Sequence, residues 1–176
     1  MRSVVLQVCP HTGLLMYHMH RIYCATPWEL EEERGAFYAT VGEFNAAYAM
    51  PREVLYVPVS LGSVPDKRPY HYAVKDNIRT CRHYIQVLDI PPPDQPASTI
   101  WGPPERNFER DLRLALECSA DPAMPMCEVA ALLRKPTEPP AGLDGVSALI
   151  EFTDTADFQR HLLGLFLHWL TADTIS

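Results

Sequence analysis

Short β-prone runs alternate with helical segments along almost the whole chain, and this alternation constrains the fold more than any other feature. The β-prone runs are residues 21–25, 53–61, 84–88, 128–133 and 148–152. In most of the segments that follow them, apolar residues recur with the 3.6-residue period of a helix. Because consecutive parallel strands need a helical crossover, the pattern predicts an α/β sandwich with a mostly parallel central sheet.

The first helix has a distinct start signal. Thr26 stands at an N-cap position, Pro27 at the first helical position and Glu29 three residues after the cap, as in a capping box. The sequence therefore predicts a helix that Thr26 caps and Pro51 closes. Its expected apolar face consists of Leu30, Phe37, Val41, Phe44 and Tyr48.

Prolines and caps mark the other boundaries. Pro58 interrupts the second β-prone run, which favours an edge position or a bend in the sheet. Residues 91–96 are too rich in proline for a helix or strand and predict an exposed extended loop. Two buried helix stripes are expected: Phe108, Leu112 and Ala115 after Pro103, and Phe158, Leu162, Leu165 and Trp169 after an Asp154 cap.

Composition excludes several classes of protein. The net charge of -7 argues against a nucleic-acid partner, because phosphate binding depends on clustered Lys and Arg. No apolar run reaches the roughly 18 residues that a bilayer span needs, so a membrane protein is not expected. The 5 cysteines show no CxxC pair and no regular spacing, which favours reduced thiols in a cytoplasmic protein.

The amino-terminal segment differs from the rest in pattern. Residues 1–20 have mixed character, and they lack the long apolar core and the cleavage site of a signal peptide. We therefore predict an N-terminal extension over residues 1–20 and one α/β domain over residues 21–176.

In an open parallel sheet, ligands bind in the crevice at the carboxyl ends of the strands, so the segments after each strand are the candidate sites. The segment after the first run holds Thr26, Trp28 and Arg34. The acidic residues of this segment, Glu29, Glu32 and Glu33, also suit an ordinary helix N-terminus, where the macrodipole favours negative charge. Arg34 either pairs with one of these acids or reaches an anionic ligand.

The segment after residues 84–88 is richer in functional groups. Asp89 ends a strand, Trp101 follows the proline loop, and Asn107 and Glu109 begin a helix. A carboxylate in such a crevice suits the stabilisation of an oxocarbenium-like sugar carbon, and an aromatic ring can stack on a base. The alternative is that Glu109 is an exposed helix residue paired with a neighbouring arginine.

Other catalytic signatures are absent from the sequence. The 7 histidines show neither HExxH nor facial-triad spacing, so no metal site is predicted. GxGxxG, GxxxxGK[ST] and GxSxG are also missing, which disfavours the ordinary dinucleotide-binding, P-loop and α/β-hydrolase functions. No cofactor is therefore expected.

Residues 22–34 resemble the opening motif of a bacterial domain-of-unknown-function family. In that family a strand runs into Ser-Ser-Thr-Phe-x-Asp-Leu-x-x-Glu-Arg. Ala25, Thr26 and Trp28 occupy the Ser, Thr and Phe places, Glu29-Leu30 the Asp-Leu place and Glu33-Arg34 the Glu-Arg place. Such domains are similar to TIR and nucleoside deoxyribosyltransferase folds and often precede signalling ATPases.

The resemblance implies a flavodoxin-like three-layer sandwich. Enzymes of this wider group carry a catalytic glutamate on the helix after the strand-end aspartate, and the order of elements gives that place to Glu109, with Asp89 and Arg34 positioning the ligand. The leading hypothesis, which the resemblance implies, is a TIR-like domain that binds a nucleotide or nucleoside-type ligand and cleaves its N-glycosidic bond, with NAD or a nucleoside as a substrate and not as a cofactor. The competing hypothesis is a non-catalytic signalling module that pairs with itself or with a protein partner.

Overall fold

The computed structural model describes residues 4–6, 15–27, 30–59, 70–89, 108–135 and 142–175. In these ranges the strands are β1 (Val4–Leu6), β2 (Leu15–Ala25), β3 (Val54–Val59), β4 (His83–Asp89), β5 (Glu128–Arg134) and β6 (Ala148–Phe152). The α-helices are α1 (Glu31–Phe44), α2 (Tyr70–Arg79), α3 (Phe108–Ala120) and α4 (Thr155–Ile175). A π-helical turn, Asn45–Ala49, and a 3₁₀ turn, Met50–Arg52, continue α1 toward β3.

Five strands form a parallel sheet in the order β3-β2-β4-β5-β6, and the short β1 pairs with β2 in antiparallel fashion. Counted along the chain, the parallel strands follow the order 2-1-3-4-5, which is the flavodoxin-like doubly wound arrangement. The predicted α/β fold with its mostly parallel central sheet is therefore confirmed. β3 pairs with β2 at the edge of this sheet, as the Pro58 signal indicated.

A separate apolar core fills each face of the sheet. On one face, α1 and α4 pack against β-strand residues such as Ile22, Ile85 and Leu132. On the other face, α2 and α3 pack against Tyr84, Leu88 and their neighbours. Strand β4 lies between β2 and β5 and is buried on both faces, as expected for a central parallel strand. The structure thus has the predicted three layers.

The predicted stripes of the last two helices are confirmed. Phe108, Leu112 and Ala115 on α3 are buried, as are Phe158, Leu162, Leu165 and Trp169 on α4. The cap of α4 is also as predicted, because Asp154 Oδ1 accepts a hydrogen bond of 2.8 Å from the backbone N–H of Asp157. Asp157 also accepts a hydrogen bond from the N–H of Thr153 at 3.0 Å, which adds a second side-chain contact at the start of the helix.

The predicted cap of the first helix is wrong. Helix α1 begins at Glu31, and Leu30 occupies the N-cap position without a side-chain hydrogen bond. The N–H of Leu30 instead bonds to the carbonyl of Pro27 at 3.1 Å, so a turn separates the strand from the helix. Thr26 therefore lies too early to cap α1, and its hydroxyl lies 3.3 Å from the Cys24 thiol.

The carboxyl-terminal end of α1 also departs from the expectation. Tyr48 was expected on the buried face, but the π turn changes the angular spacing after Phe44 and leaves Tyr48 39% exposed. Pro51 lies inside the following 3₁₀ turn. The helical stretch ends at Glu53, whose φ of 59° is left-handed.

Part of the predicted extension belongs to the sheet. Strand β2 begins at Leu15, so the predicted boundary between residues 20 and 21 falls within it. His18 and His20 pair in register with Val54 and Tyr56 of β3. Within the described ranges, none of the helices has both the length and the apolar character needed to cross a bilayer.

Candidate functional site

The carboxyl edge is the end of the sheet at which the parallel strands finish, and the predicted site residues that the structure describes near it are Thr26, Arg34, Asp89 and Glu109. Trp28, Trp101 and Asn107 lie outside the described residues. Thr26 follows β2 directly and is buried, and Arg34 lies half-buried in the first turns of α1. Burial raises the pKa of the neighbouring Cys24 thiol to about 12, so this cysteine is not an activated nucleophile at neutral pH.

Among the described residues, Glu33 is the most buried carboxylate at this edge. Its residue is only 2% exposed, although it lies in the first turn of α1 beside the exposed Glu31 and Glu32. The Thr155 hydroxyl donates to Glu33 Oε1 at 3.1 Å, and Arg134 Nη2 lies 3.6 Å from the same oxygen. We call Glu33, Arg134 and Thr155 the carboxyl-edge cluster.

Three elements build this cluster. Thr155 is the first residue of α4, Arg134 the last of β5, and Glu33 faces them from α1. Glu33 lies in the first turn of α1, where the helix macrodipole attracts negative charge. About a third of the Arg134 side chain is exposed, so its guanidinium can also reach an anionic ligand.

Asp89 lies beside this cluster. It ends β4 and is paired in register with Arg134 of β5. Because side chains alternate along a strand, Asp89 shares the face of Val87, which packs on the side of α1 and α4. The structure thus places Asp89 and Glu33 on the same side of the carboxyl edge.

Glu109 lies on the other face of the sheet, in the first turn of α3. Its side chain is 50% exposed and accepts a hydrogen bond from Arg113 Nη2 at 2.8 Å. The inward-facing acid of this turn is Asp111, which is 4% exposed. Burial raises the pKa of Asp111, and the adjacent Arg110 opposes that shift.

A buried polar layer lies near Asp111, beneath the carboxyl edge. The Tyr84 hydroxyl donates to Gln86 Oε1 at 2.7 Å, and Gln86 Nε2 donates to the carbonyls of Ala25 and Val87. Tyr23 stacks on Tyr84 with the two rings 6° from parallel. Burial, and after it the charge of Asp111, raises the pKa of Tyr84. This layer ties β2 to β4 and keeps its polar atoms bonded.

A second polar cluster lies at the opposite edge of the sheet. Asp173, near the end of α4, is surrounded by side chains from the amino-terminal parts of the strands. His20 Nδ1, the Tyr56 hydroxyl and His83 Nε2 lie 2.6, 2.9 and 3.3 Å from Asp173 Oδ2. Arg82 contacts Oδ1 through Nε at 2.7 Å and Nη2 at 2.6 Å. We call these five residues the amino-edge cluster.

The ionisation of this cluster is set by burial and by mutual contacts. Burial opposes the charge of Asp173, but hydrogen bonds from His20, His83 and Arg82 outweigh it and hold the pKa of Asp173 well below its usual range. For His83, burial is the larger effect and lowers the pKa, while Asp173 opposes the shift. The His83 ring also stacks on Trp169, with centroids 4.1 Å apart and planes 7° from parallel.

Sequence reasoning missed Asp111, Glu33 as the buried acid, and the amino-edge cluster. Asp111 had a signal, because it lies three residues after Phe108 on the stripe that also contains Leu112 and Ala115. Glu33 lacked one, since its neighbours are also glutamates and the helix start decides which of them faces inward. The amino-edge cluster joins residues as far as 153 positions apart, which no local spacing reveals.

One groove lies away from both clusters. It occupies about 520 Å³ between α1 and α4 and is lined by apolar groups of Phe44, Tyr48 and Leu163 together with Glu43 and Arg160. None of its lining residues belongs to either cluster. The groove is therefore a separate surface feature.

The fold and the two clusters define a flavodoxin-like α/β protein with polar side chains gathered at both edges of its parallel sheet. No protein-family model matches the chain, and no curated protein matches it in sequence.

Among solved structures, the CMP N-glycosidase BcmB of Clostridium botulinum is similar at 15% identity and a TM-score of 0.46, over 83% of this chain and 98% of that one. The phosphorylated cyanobacterial phytochrome response regulator RcpA is similar at 14% identity and a TM-score of 0.45, over 88% of this chain and 96% of that one. A response regulator receiver domain from Rhodospirillum rubrum is similar at 13% identity and 0.44, over 85% and 92%. At these identities and TM-scores the likeness carries no conclusion about activity.

Proposed function

We propose that this chain is a TIR-like domain that binds a nucleotide or nucleoside-type ligand at the carboxyl edge of its sheet and cleaves the N-glycosidic bond. The observation that carries the proposal is the burial of Glu33 at this edge, 3.1 Å from the Thr155 hydroxyl and 3.6 Å from Arg134. A carboxylate withdrawn from water interacts more strongly with a developing positive charge than an exposed one does.

The proposed reaction is a hydrolysis. The bond between the anomeric carbon and the base nitrogen breaks, and water adds its oxygen to that carbon and leaves one hydrogen on the new sugar hydroxyl. With a neutral nucleoside the second hydrogen ends on the released base; with NAD the nicotinamide leaves as a neutral base and the second hydrogen is released as a proton. Glu33 stabilises the oxocarbenium-like carbon, and Arg134 and Arg34 bind anionic groups of the ligand. Asp89, Thr26, Trp28, Trp101 and Asn107 form the rest of the proposed binding site.

Glu109 is the second candidate for the carboxylate that acts on the sugar. Its support is the family resemblance and its place on the helix after Asp89. Its exposure and its pairing with Arg113 are those of a surface residue. We favour Glu33 because a carboxylate must approach the anomeric carbon to about 3 to 3.5 Å in a site from which water is largely excluded.

The test is release of free base from NAD and from a panel of nucleosides and nucleotides. We expect release by the wild-type protein and a loss of at least about 100-fold in Glu33→Gln, which keeps the size and hydrogen-bonding shape of the side chain. Glu31→Gln is the matched control, because Glu31 lies in the same turn but is exposed. Equal rates for these two variants would exclude Glu33, and selective loss in Glu109→Gln would assign the role to Glu109.

The alternative proposal is a non-catalytic signalling or self-assembly module. The observation that favours it is a set of exposed apolar side chains on and next to α1 and on α4, namely Tyr38, Tyr48, Met50 and Leu167. Of these, Tyr48 lines the 520 Å³ groove. Sedimentation of the chain over a range of concentrations tests it. No base release over the whole panel, together with concentration-dependent association, would replace the enzyme with this module.

A further inference from the structure

The amino-edge cluster concentrates three donor groups on one oxygen atom. His20 Nδ1, the Tyr56 hydroxyl and His83 Nε2 all lie within 3.3 Å of Asp173 Oδ2. A carboxylate oxygen offers about two lone-pair positions, so three hydrogen bonds exceed its ordinary capacity. The groups that crowd this oxygen are two imidazoles and a phenol, which are also groups that bind transition metals.

From this arrangement we propose that the amino-edge cluster binds a divalent transition-metal ion, with His20 Nδ1, His83 Nε2 and Asp173 Oδ2 as its protein ligands. These three ligand atoms lie within 4.8 Å of one another. Two ligands about 2.0 to 2.1 Å from a tetrahedral Zn²⁺ lie about 3.3 Å apart. The pair of His83 and Asp173 already has this separation, at 3.3 Å, and the distance of 2.6 Å between His20 Nδ1 and Asp173 Oδ2 has to lengthen by less than about 1 Å.

Arg82 determines which oxygen of Asp173 is available. Both its Nε and its Nη2 contact Oδ1, at 2.7 and 2.6 Å, so Oδ2 is the oxygen that faces the two histidines. An outer partner of this kind orients a carboxylate that binds metal through one oxygen. The guanidinium also offsets the charge of Asp173, which disfavours ions held by charge alone, such as Mg²⁺, and favours ions that prefer imidazole nitrogen.

The two histidine rings are positioned differently. His83 is buried, and its Nδ1 has no hydrogen-bond partner among the described residues, so its stacking on Trp169 takes over the role of orienting the ring. His20 meets Tyr56 edge-on and its side chain is 14% exposed. An ion can therefore enter from the side of His20, which is the ligand best suited to substitution without opening the core.

The probe is Zn²⁺ added to the full chain after treatment with a chelator. Titration calorimetry should show one Zn²⁺ bound per chain, and His20→Ala should weaken that binding at least about tenfold. His18→Ala is the matched control, because His18 lies two positions earlier on β2 and is exposed. It should bind Zn²⁺ as the wild type does. Cys127→Ser serves as a second control for binding by the exposed thiol.

Substitution with Co²⁺ gives an independent spectroscopic measurement that already applies to the wild-type protein. The intense visible absorption of a tetrahedral Co²⁺ site should appear in the wild type and in His18→Ala. Absence of Zn²⁺ binding by the wild type, or equal binding by His20→Ala and His18→Ala, would overturn the proposal. Loss of binding in Cys127→Ser would also overturn it, because the ion would then belong to the thiol. None of these outcomes affects the proposed glycosidase activity, which concerns the other edge of the sheet.

Discussion

The two edges of the parallel sheet hold their buried carboxylates in different ways. At the amino edge, Asp173 contacts four side chains, and Trp169 next to this cluster also donates to Glu128 at 2.9 Å. At the carboxyl edge, Glu33 has the Thr155 hydroxyl at 3.1 Å and a looser approach of Arg134 at 3.6 Å. The negative charge is thus closely compensated at one edge and less so at the other. A less compensated carboxylate is better placed to act on a ligand.

Helix α4 connects the two edges. Its first residue, Thr155, contacts Glu33, and Asp173 in its last turns contacts the strands at the other end. An anion near a helix C-terminus is disfavoured by the macrodipole, so the cations and donors around Asp173 must outweigh this effect. The amino-edge contacts therefore add to the apolar packing that fixes α4, and the carboxyl edge depends on α4 for Thr155.

The largest effect is expected from Asp173→Asn. The substitution leaves Arg82 and three other donors around an uncharged amide, and breaking a buried ion pair on one side typically costs about 3 to 5 kcal/mol. Urea unfolding in chelator-treated buffer should show this decrease in the free energy of unfolding. Asp144→Asn, at an exposed position, is the control and should stay within about 0.5 kcal/mol of the wild type. Equal stabilities for both variants would mean that the amino edge does not anchor α4.

A smaller effect is expected where α4 begins. Asp154→Ala removes the acceptor for the Asp157 N–H, and the loss of an N-cap costs about 0.5 to 2 kcal/mol. Asp154→Ser keeps a capping oxygen and should restore most of the stability. Thermal unfolding of the two variants and the wild type measures both. If the serine variant is no more stable than the alanine variant, the cap does not contribute and the carboxyl edge is anchored by other contacts.

Local sequence patterns predicted the helices and strands better than they predicted the side-chain clusters at the two edges of the sheet. The stripes of α3 and α4 and the parallel strands follow from periodicity, which depends only on neighbouring residues. The Thr26 cap failed because a turn from Pro27 to Leu30 delays the helix until Glu31. That delay also sets which glutamate of α1 faces inward.

The side-chain clusters at the two edges depend on contacts between residues that lie far apart in the sequence. Asp173 meets His20 and Tyr56 only because α4 runs back along the sheet to the strands' amino ends, and the flavodoxin-like strand order places β3 beside β2. A pattern that identifies α4 as amphipathic does not specify which strand residues its end meets. The predicted absence of a metal site rested on histidine spacing alone and therefore did not consider this cluster.

The pH dependence of stability tests whether Asp111, the buried acid of α3, titrates as a buried group. Burial raises the pKa of Asp111 above its unfolded value, so its contribution to stability is fully present below the unfolded pKa and is lost as pH rises through the folded pKa. Asp111→Asn removes this loss. The stability of the variant relative to the wild type should therefore increase between about pH 3 and pH 7. Chemical unfolding across this range measures it, and a constant difference would mean that Asp111 does not titrate as a buried group.

The smallest effect on stability is expected from Glu109→Gln. The same variant also tests whether Glu109 or Glu33 acts on the sugar. Glu109 and Arg113 form an exposed i,i+4 pair, and such pairs contribute about 0.3 to 0.5 kcal/mol. Glu109→Gln and Arg113→Gln should each lower stability by no more than this amount, and the difference should shrink in high salt because the pair is open to solvent.

Base release by the same two variants then separates a surface pair from a reacting group. If Glu109 only pairs with Arg113, both variants retain the wild-type rate, and the carboxylate that matters is Glu33. If Glu109 acts on the sugar, Glu109→Gln loses turnover while Arg113→Gln, which leaves the carboxylate in place, keeps most of it. In that case the ligand would draw Glu109 away from Arg113, and the reacting carboxylate would lie on the α3 face, opposite Glu33. A rate loss shared equally by both variants would instead show that the ion pair positions the amino-terminal end of α3.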